Sequence, residues 1–205
     1  MPLPPNWTET KRYDYPLNSD SIIFDVGGYR GDFASEWVSK VDPTIYIFEP
    51  FIDLHTSHLH SRFKNNDKVQ YFRYGLSDFN GNPPLAQAGK EAGSLSEEMF
   101  QKWYHGLKEH GTEVEIRKFS EVYSELGSPK VDLIKINIEG EEYPLLNHIL
   151  DEGLINNFKY IQIQYHDFIK DAGEKRAKIV ERMRETHNCQ WEFPWIWESW
   201  ERKDA

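Results

Sequence analysis

Apolar residues fall along this chain in short blocks of two different periods. Blocks of strand length occupy residues 21–26, 44–48 and 69–74, then 131–140 and the run through Ile161, Ile163 and Tyr165. Between them, apolar residues recur three or four apart, as on one face of a helix. These stretches are 32–40 (Phe33, Trp37), 51–63 (Phe51, Leu54, His58), 95–110 (Phe100, Trp103, Tyr104, Leu107), 119–126, 141–152 (Leu145, Leu146, Ile149, Leu150) and 171–187 (Ile179, Val180, Met183). A short strand is expected at 113–117. The segment 189–202 alternates on both sides of Pro194 and reads as an antiparallel pair. Strands alternating with helices predict an α/β domain built on a largely parallel sheet. Residues 1–20, with Pro2, Pro4, Pro5 and Pro16, read as an irregular arm anchored by Trp7 and Tyr15. Residues 83–112, with Pro83, Pro84, Gly89 and Gly93, read as an insertion of the kind that covers a site as a lid.

Polar residues that break the apolar pattern mark the candidate chemistry. The first strand ends in Asp25 and a turn holding Gly27, Gly28 and Gly31, and a helix follows. Glycine lets a ligand approach the backbone or supplies positive φ, and the helix start offers free N–H groups. The second strand ends at Glu49, about 20 residues after the glycine turn, where an acid can accept both hydroxyls of a ribose. Ser77 and Asp78 follow the third strand, and Asp78 is placed to accept from an exocyclic amine. In the fourth strand Lys135, Asn137 and Glu139 alternate with isoleucines; in the fifth, Gln162, Gln164 and His166 alternate with Ile161, Ile163 and Tyr165. A central parallel strand is normally apolar on both faces, so polar residues there need partners or a wet site. Asn137, Glu139 and His166 are expected at the crevice, and Trp103 and Tyr104 are expected to meet an acceptor.

Composition narrows the field. The 205 residues carry 24 basic and 34 acidic side chains, a net charge of −10. That balance argues against nucleic acid as the main partner. One domain is expected, and its length is also compatible with a piece of a larger glycan-building polypeptide. A single cysteine, Cys189, excludes an intrachain disulfide. With no apolar run of membrane-spanning length and no signal-peptide core, a cytoplasmic location is expected. His55, His58 and His60 lack a clear metal-ligand pattern.

The turn D-V-G-G-Y-R-G is not the dinucleotide pattern G-x-G-x-x-G, which leaves a methyltransferase and a dinucleotide oxidoreductase as the leading readings. The segments IIFDVGGYRGDFA, IYIFEP, YGLSDFNG and above all VDLIKINIEGEEYPLL resemble the FkbM family of S-adenosylmethionine (SAM)-dependent methyltransferases, over about residues 21–168. The last looks like the family's K-I-D-x-E-G-x-E block. The resemblance implies a Rossmann-like class I methyltransferase fold, a seven-stranded sheet of order 3-2-1-4-5-7-6 with strand seven antiparallel. It also implies methyl transfer to a hydroxyl, often of a sugar or natural product, with S-adenosylhomocysteine (SAH) as product. Asn137 stands where the family usually has aspartate, and Gln164 where glutamate is common. Gly27 and its neighbours would hold the methionine part, with Asp25, Gly28 and Gly31 in the same turn; Glu49 would hold the ribose, and Ser77 and Asp78 the adenine. His166, as a neutral imidazole, is the first expectation for the base and Glu139 the second, with Asn137 beside them. Lys135 is expected either to pair within the strand network or to touch the acceptor. A divalent metal held by Glu139 and His166 could acidify the hydroxyl instead, but two ligands are too few to claim one. The acceptor is expected to be a small molecule or glycan, a deoxyhexose among them; a protein acceptor and a non-catalytic module are the remaining alternatives.

Overall fold

The computed structural model describes residues 4–51, 53, 55–86 and 93–204. In chain order the elements are β1 (Ile22–Val26), α1 (Asp32–Lys40), β2 (Thr44–Phe48), a π-helical turn His55–Leu59, α2 (His60–Phe63), β3 (Val69–Phe72), β4 (Gly75–Ser77) and β5 (Pro84–Leu85). They continue with α3 (Glu97–Tyr104), β6 (Thr112–Glu113), β7 (Ile116–Lys118), α4 (Phe119–Glu125), β8 (Val131–Ile136), α5 (Glu142–Asp151), β9 (Phe158–Ile163), α6 (Ala172–Thr186), β10 (His187–Phe193) and β11 (Trp197–Arg202). The main sheet has the order β3-β2-β1-β8-β9-β11-β10. All neighbours from β3 to β9 pair in parallel, while β11 runs antiparallel to both β9 and β10. This is the order and direction expected from the sequence.

The two faces of the sheet carry different cores. Phe24, Val26, Phe48, Ile134, Ile136, Ile161 and Ile163 face α4, α5 and α6. Ile23, Ile45, Ile47, Leu133 and Tyr160 face Phe33 and Trp37 of α1, Leu59, Phe63 and the N-terminal arm. The period-2 alternation therefore buries both faces of the inner strands, as a parallel sheet between layers requires.

Several boundaries differ from the expectation. The long helix expected over 51–63 is the π-helical turn followed by α2; Leu54 lies outside the described residues, as does 87–92, which contains Gly89. The helix expected over 95–110 is cut to α3. The Ser96 hydroxyl caps its start by accepting from Met99 N–H, and left-handed backbone at His105 and Gly106 stops it. The strand expected at 113–117 is split, β6 pairing with β5 and β7 with β4. The two polar-faced strands end early, at Ile136 and Ile163.

The polar residues inside β8 and β9 are paired away from the crevice. Lys135 lies opposite Asp25 in register; its Nζ donates to Asp25 Oδ1 at 2.9 Å and to the Gly27 carbonyl at 2.6 Å. The Gln162 amide accepts from Arg12 Nε at 3.1 Å and donates to the Arg12 carbonyl and the Tyr15 hydroxyl at 3.0 and 3.1 Å. Arg12 also stacks 3.9 Å above the Trp197 ring, and Trp7 packs edge-on against Phe193. Gln162 thus fastens the arm to the sheet. Gln162→Ala is expected to cost ~1–3 kcal/mol from the stranded Arg12 and Tyr15 groups. Hydrogen exchange should rise in residues 4–20, while ligand binding at the crevice is kept. Unchanged exchange in the arm would contradict this role.

Candidate active site

The carboxyl ends of β1, β2 and β8 open into one cavity of about 480 Å³. Its floor is Val26, Gly27, Phe48 and Ile138; Glu49, Glu139 and Glu141 bring carboxylates to it; Leu85, Gly93 and Leu95 bring part of the insertion.

The glycine turn is shaped by its neighbours. Gly27 has φ +83°, and a β-carbon there would lie 2.0 Å from the Asn137 carbonyl oxygen. Gly28 and Gly31 are needed for packing: their β-carbons would meet Ile47 Cγ2 at 2.1 Å and the Phe63 ring at 2.7 Å. Neither lines the cavity. Asp25 is fully buried, with Oδ1 on Lys135 and Oδ2 unpartnered. Lys135 is likewise buried, and its ammonium group is spent on Asp25 and the Gly27 carbonyl. It braces the turn from behind, the first of the two roles expected of it.

Glu49 sits at the end of β2. Its Oε2 accepts from Tyr29 N–H at 2.9 Å and its Oε1 from Phe51 N–H at 3.0 Å. Burial pushes its carboxyl up to about 7, against the pull of both N–H groups and Lys135.

Beyond β8 the chain turns sharply, with Glu139 at φ 53° and Gly140 at φ 110°. The fully buried Glu142 holds this turn: its Oε1 accepts from Ile138 N–H at 2.8 Å and its Oε2 from Gly140 N–H at 2.9 Å. Ser94 of the insertion donates to the Glu139 carbonyl at 2.5 Å. His166 lies between two carboxylates, with Nδ1 3.0 Å from Glu142 and Nε2 3.2 Å from Glu139. Burial lowers its proton affinity, but hydrogen bonds to Glu139 and Glu142 and their charges outweigh that and push it up to about 10. The ring is therefore held as an imidazolium, not as the neutral base expected from the sequence. Asn137 lines the cavity with a buried Oδ1 that has no partner.

The profile of the methyltransferase FkbM domain matches residues 25–190. The chain belongs to the FkbM methyltransferase family. A crystal structure of methyltransferase FkbM from Methylobacillus flagellatus KT is similar in fold, with a TM-score of 0.57 at 12% identity, over 92% of this chain and 45% of that one. The chain thus spans less than half the length of that protein. An rRNA methylase from Streptococcus thermophilus (TM-score 0.47, 13% identity, 91% of this chain and 89% of that one) and a precorrin-6y C5,15-methyltransferase from Geobacter metallireducens GS-15 (0.47, 11%, 88% and 71%) align more loosely. No curated protein matches the chain.

Within this FkbM chain the other expected residues fall in different places. Ser77 is buried and donates to Glu141 Oε2 at 2.9 Å. Burial raises the Glu141 carboxyl above its usual range. Asp78 is exposed and stands outside the cavity lining. Trp103 is 48% exposed with Lys102 against its ring, and Tyr104 packs on Phe100; neither lines the cavity. The insertion reaches the cavity through Leu85, Gly93 and Leu95 instead. Among the described residues no group of three or more His, Cys, Asp or Glu is placed to hold a metal, and no helix is long and apolar enough to cross a membrane. Glu141 and Glu142 were not singled out by the sequence reading, although both lie in the E-G-x-E end of the family block.

Proposed function

We propose that this chain is the SAM-dependent methyltransferase unit of an FkbM-type enzyme and that its acceptor is a hydroxyl, most naturally of a sugar in a glycan or a small glycoconjugate. The observation that carries the cofactor reading is Glu49, a buried carboxylate at the end of β2, facing a cavity within the size range of small-molecule sites. Gly27 would take the methionine part, Glu49 the ribose hydroxyls, and the wall of Leu76 and Glu141, the latter held by Ser77, the adenine. The unpartnered Asn137 Oδ1 suits a donor from the cofactor or acceptor. When bound, SAM supplies a methyl group already activated by its sulfonium. The protein's part is alignment and proton removal. The Glu139 carboxylate, with His166 Nε2 3.2 Å away, would take the hydroxyl proton as the acceptor oxygen receives the methyl group. Leu85 and Leu95 form the apolar wall met by the acceptor. The acidic charge favours an acceptor other than nucleic acid.

The test is calorimetric titration with SAH across pH. Ribose hydroxyls donate to ionised Glu49, so binding below about pH 7 must first remove its proton. Affinity should rise with pH up to about 7, by at most tenfold per unit, and then level off. Glu49→Gln should remove the slope, and Glu49→Ala should weaken binding roughly 10- to 100-fold, as for a charged hydrogen-bond acceptor. A folded wild-type protein that binds NAD(H) and neither SAM nor SAH would overturn the methyltransferase reading.

A further inference from the structure

Glu142 does not line the cavity, yet the geometry of the turn around Glu139 depends on it. Its two carboxylate oxygens collect three donors: the N–H groups of Ile138 and Gly140 and the Nδ1 of His166. The first two fix the left-handed turn that presents Glu139. The third sets the plane of the imidazole so that Nε2 points at Glu139, 3.2 Å away. The backbone of His166 is tied down as well, since the Tyr143 hydroxyl donates to its carbonyl at 2.7 Å.

We propose that Glu142 is the positioning residue for proton removal, acting through His166 to leave Glu139 free to accept a proton. This rests on the hydroxyl-methylation reading above. Two carboxylates share one imidazolium, so the Glu139–His166–Glu142 group carries one uncompensated negative charge. Taking the acceptor's proton brings the group to neutrality. Without the charge of Glu142, His166 would neutralise Glu139 by itself. Proton uptake would then leave a net positive charge in a largely buried site, which desolvation opposes. Glu142 thus offsets the imidazolium, and the imidazolium orients Glu139.

The other groups around this cluster are engaged elsewhere: Glu141, beside Glu142, accepts from the Ser77 hydroxyl and faces the cavity. Arg176 is committed to Glu198 and Glu192 and lies against the Tyr165 ring; Lys175 lies over the Tyr143 ring. The neighbouring Asp167 is exposed, and Phe168 offers His166 only a ring contact. Glu98, from α3, accepts from Lys170 N–H.

The test is a pH titration by NMR of protein labelled with nitrogen-15 histidine, the His166 signal being assigned with His166→Gln. The wild type should show both ring nitrogens protonated at pH 8. In Glu142→Gln, which keeps the side-chain shape, the ring should lose its proton at least tenfold more readily, and Glu142→Asp should fall between. A titration unmoved in Glu142→Gln would mean that the charge of Glu142 does not offset the imidazolium, and that result overturns the proposal. A His166 ring already neutral at pH 8 in the wild type, which needs no variant to fold, overturns it too. SAH titration of the same samples separates the two claims. Failure to bind SAH with an intact His166 signature removes the methyltransferase reading, whereas SAH binding with an unmoved titration removes only the role of Glu142.

Discussion

Gly27→Ala is expected to abolish SAH binding and to lower stability by at least ~3 kcal/mol. Two independent costs combine. At φ +83° an L side chain sits in the left-handed region, which costs ~1–2 kcal/mol. The new β-carbon would also lie 2.0 Å from the Asn137 carbonyl oxygen and 2.9 Å from Ile138 Cγ2. Neither chain can retreat cheaply, because Asn137 N–H donates to the Val26 carbonyl at 3.1 Å and the Gly27 carbonyl is held by Lys135. Relief therefore requires β1 and β8 to part at the cavity floor. Gly153→Ala is the control. It shares a left-handed φ of +67°, but its β-carbon would meet nothing within 4 Å, so only the strain of ~1–2 kcal/mol should appear. Urea midpoints and SAH titration of both variants measure the difference. Equal losses in the two, with binding kept in Gly27→Ala, would show that the turn yields and that the close approach does not matter.

The sheet was legible because its signal is local. Runs such as Ile22 to Phe24 and Ile45 to Phe48 are apolar on both faces, and the helices between them show one apolar stripe each. The turn after β1 and the acid after β2 were legible for the same reason, since each lies within a few residues of a strand end. What escaped was whatever depends on partners far away in sequence. Lys135 and Gln162 interrupt apolar strands in the same way as Asn137 and Gln164, yet the first two are satisfied by Asp25 and by the arm, while the last two line the cavity. A period of two cannot tell these apart, nor can it locate the end of a strand whose alternation runs on into a left-handed turn at Glu139. Glu141 and Glu142 read as ordinary acids at a helix start. Their different fates follow from one step of rotation: Glu141 reaches Ser77 and the cavity, and Glu142 turns beneath the loop. His166 is ionisable by residue type, but its protonation state depends on two carboxylates that converge on it only in the folded chain. Trp103 and Tyr104 are aromatic residues of the kind that suits the apolar face of a sugar. The insertion instead turns them away from the cavity lining and offers aliphatic side chains there.

Lys135→Met is expected to destabilise the protein by ~3–5 kcal/mol, the usual cost of leaving one partner of a buried ion pair without the other. Asp25 is fully buried and its Oδ2 already lacks a partner, so loss of the ammonium would leave the carboxylate with no compensating contact from Lys135 at either oxygen. The chain would respond by protonating Asp25 or by admitting water between β1 and β8. Adding Asp25→Asn should recover much of the loss, because it removes the stranded charge. It should not recover all of it, since the Gly27 carbonyl still lacks the donor that reached it at 2.6 Å. The residue of ~1–2 kcal/mol left in the double variant is the cost of that one hydrogen bond. It should appear together with weaker SAH binding, because the same carbonyl belongs to the turn on the cavity floor. Urea unfolding of the wild type, both single variants and the pair completes a double-mutant cycle. A pair whose loss equals the sum of the single losses would mean that Lys135 and Asp25 act separately. A strongly favourable coupling would establish that this central strand carries its lysine for the buried pair with Asp25.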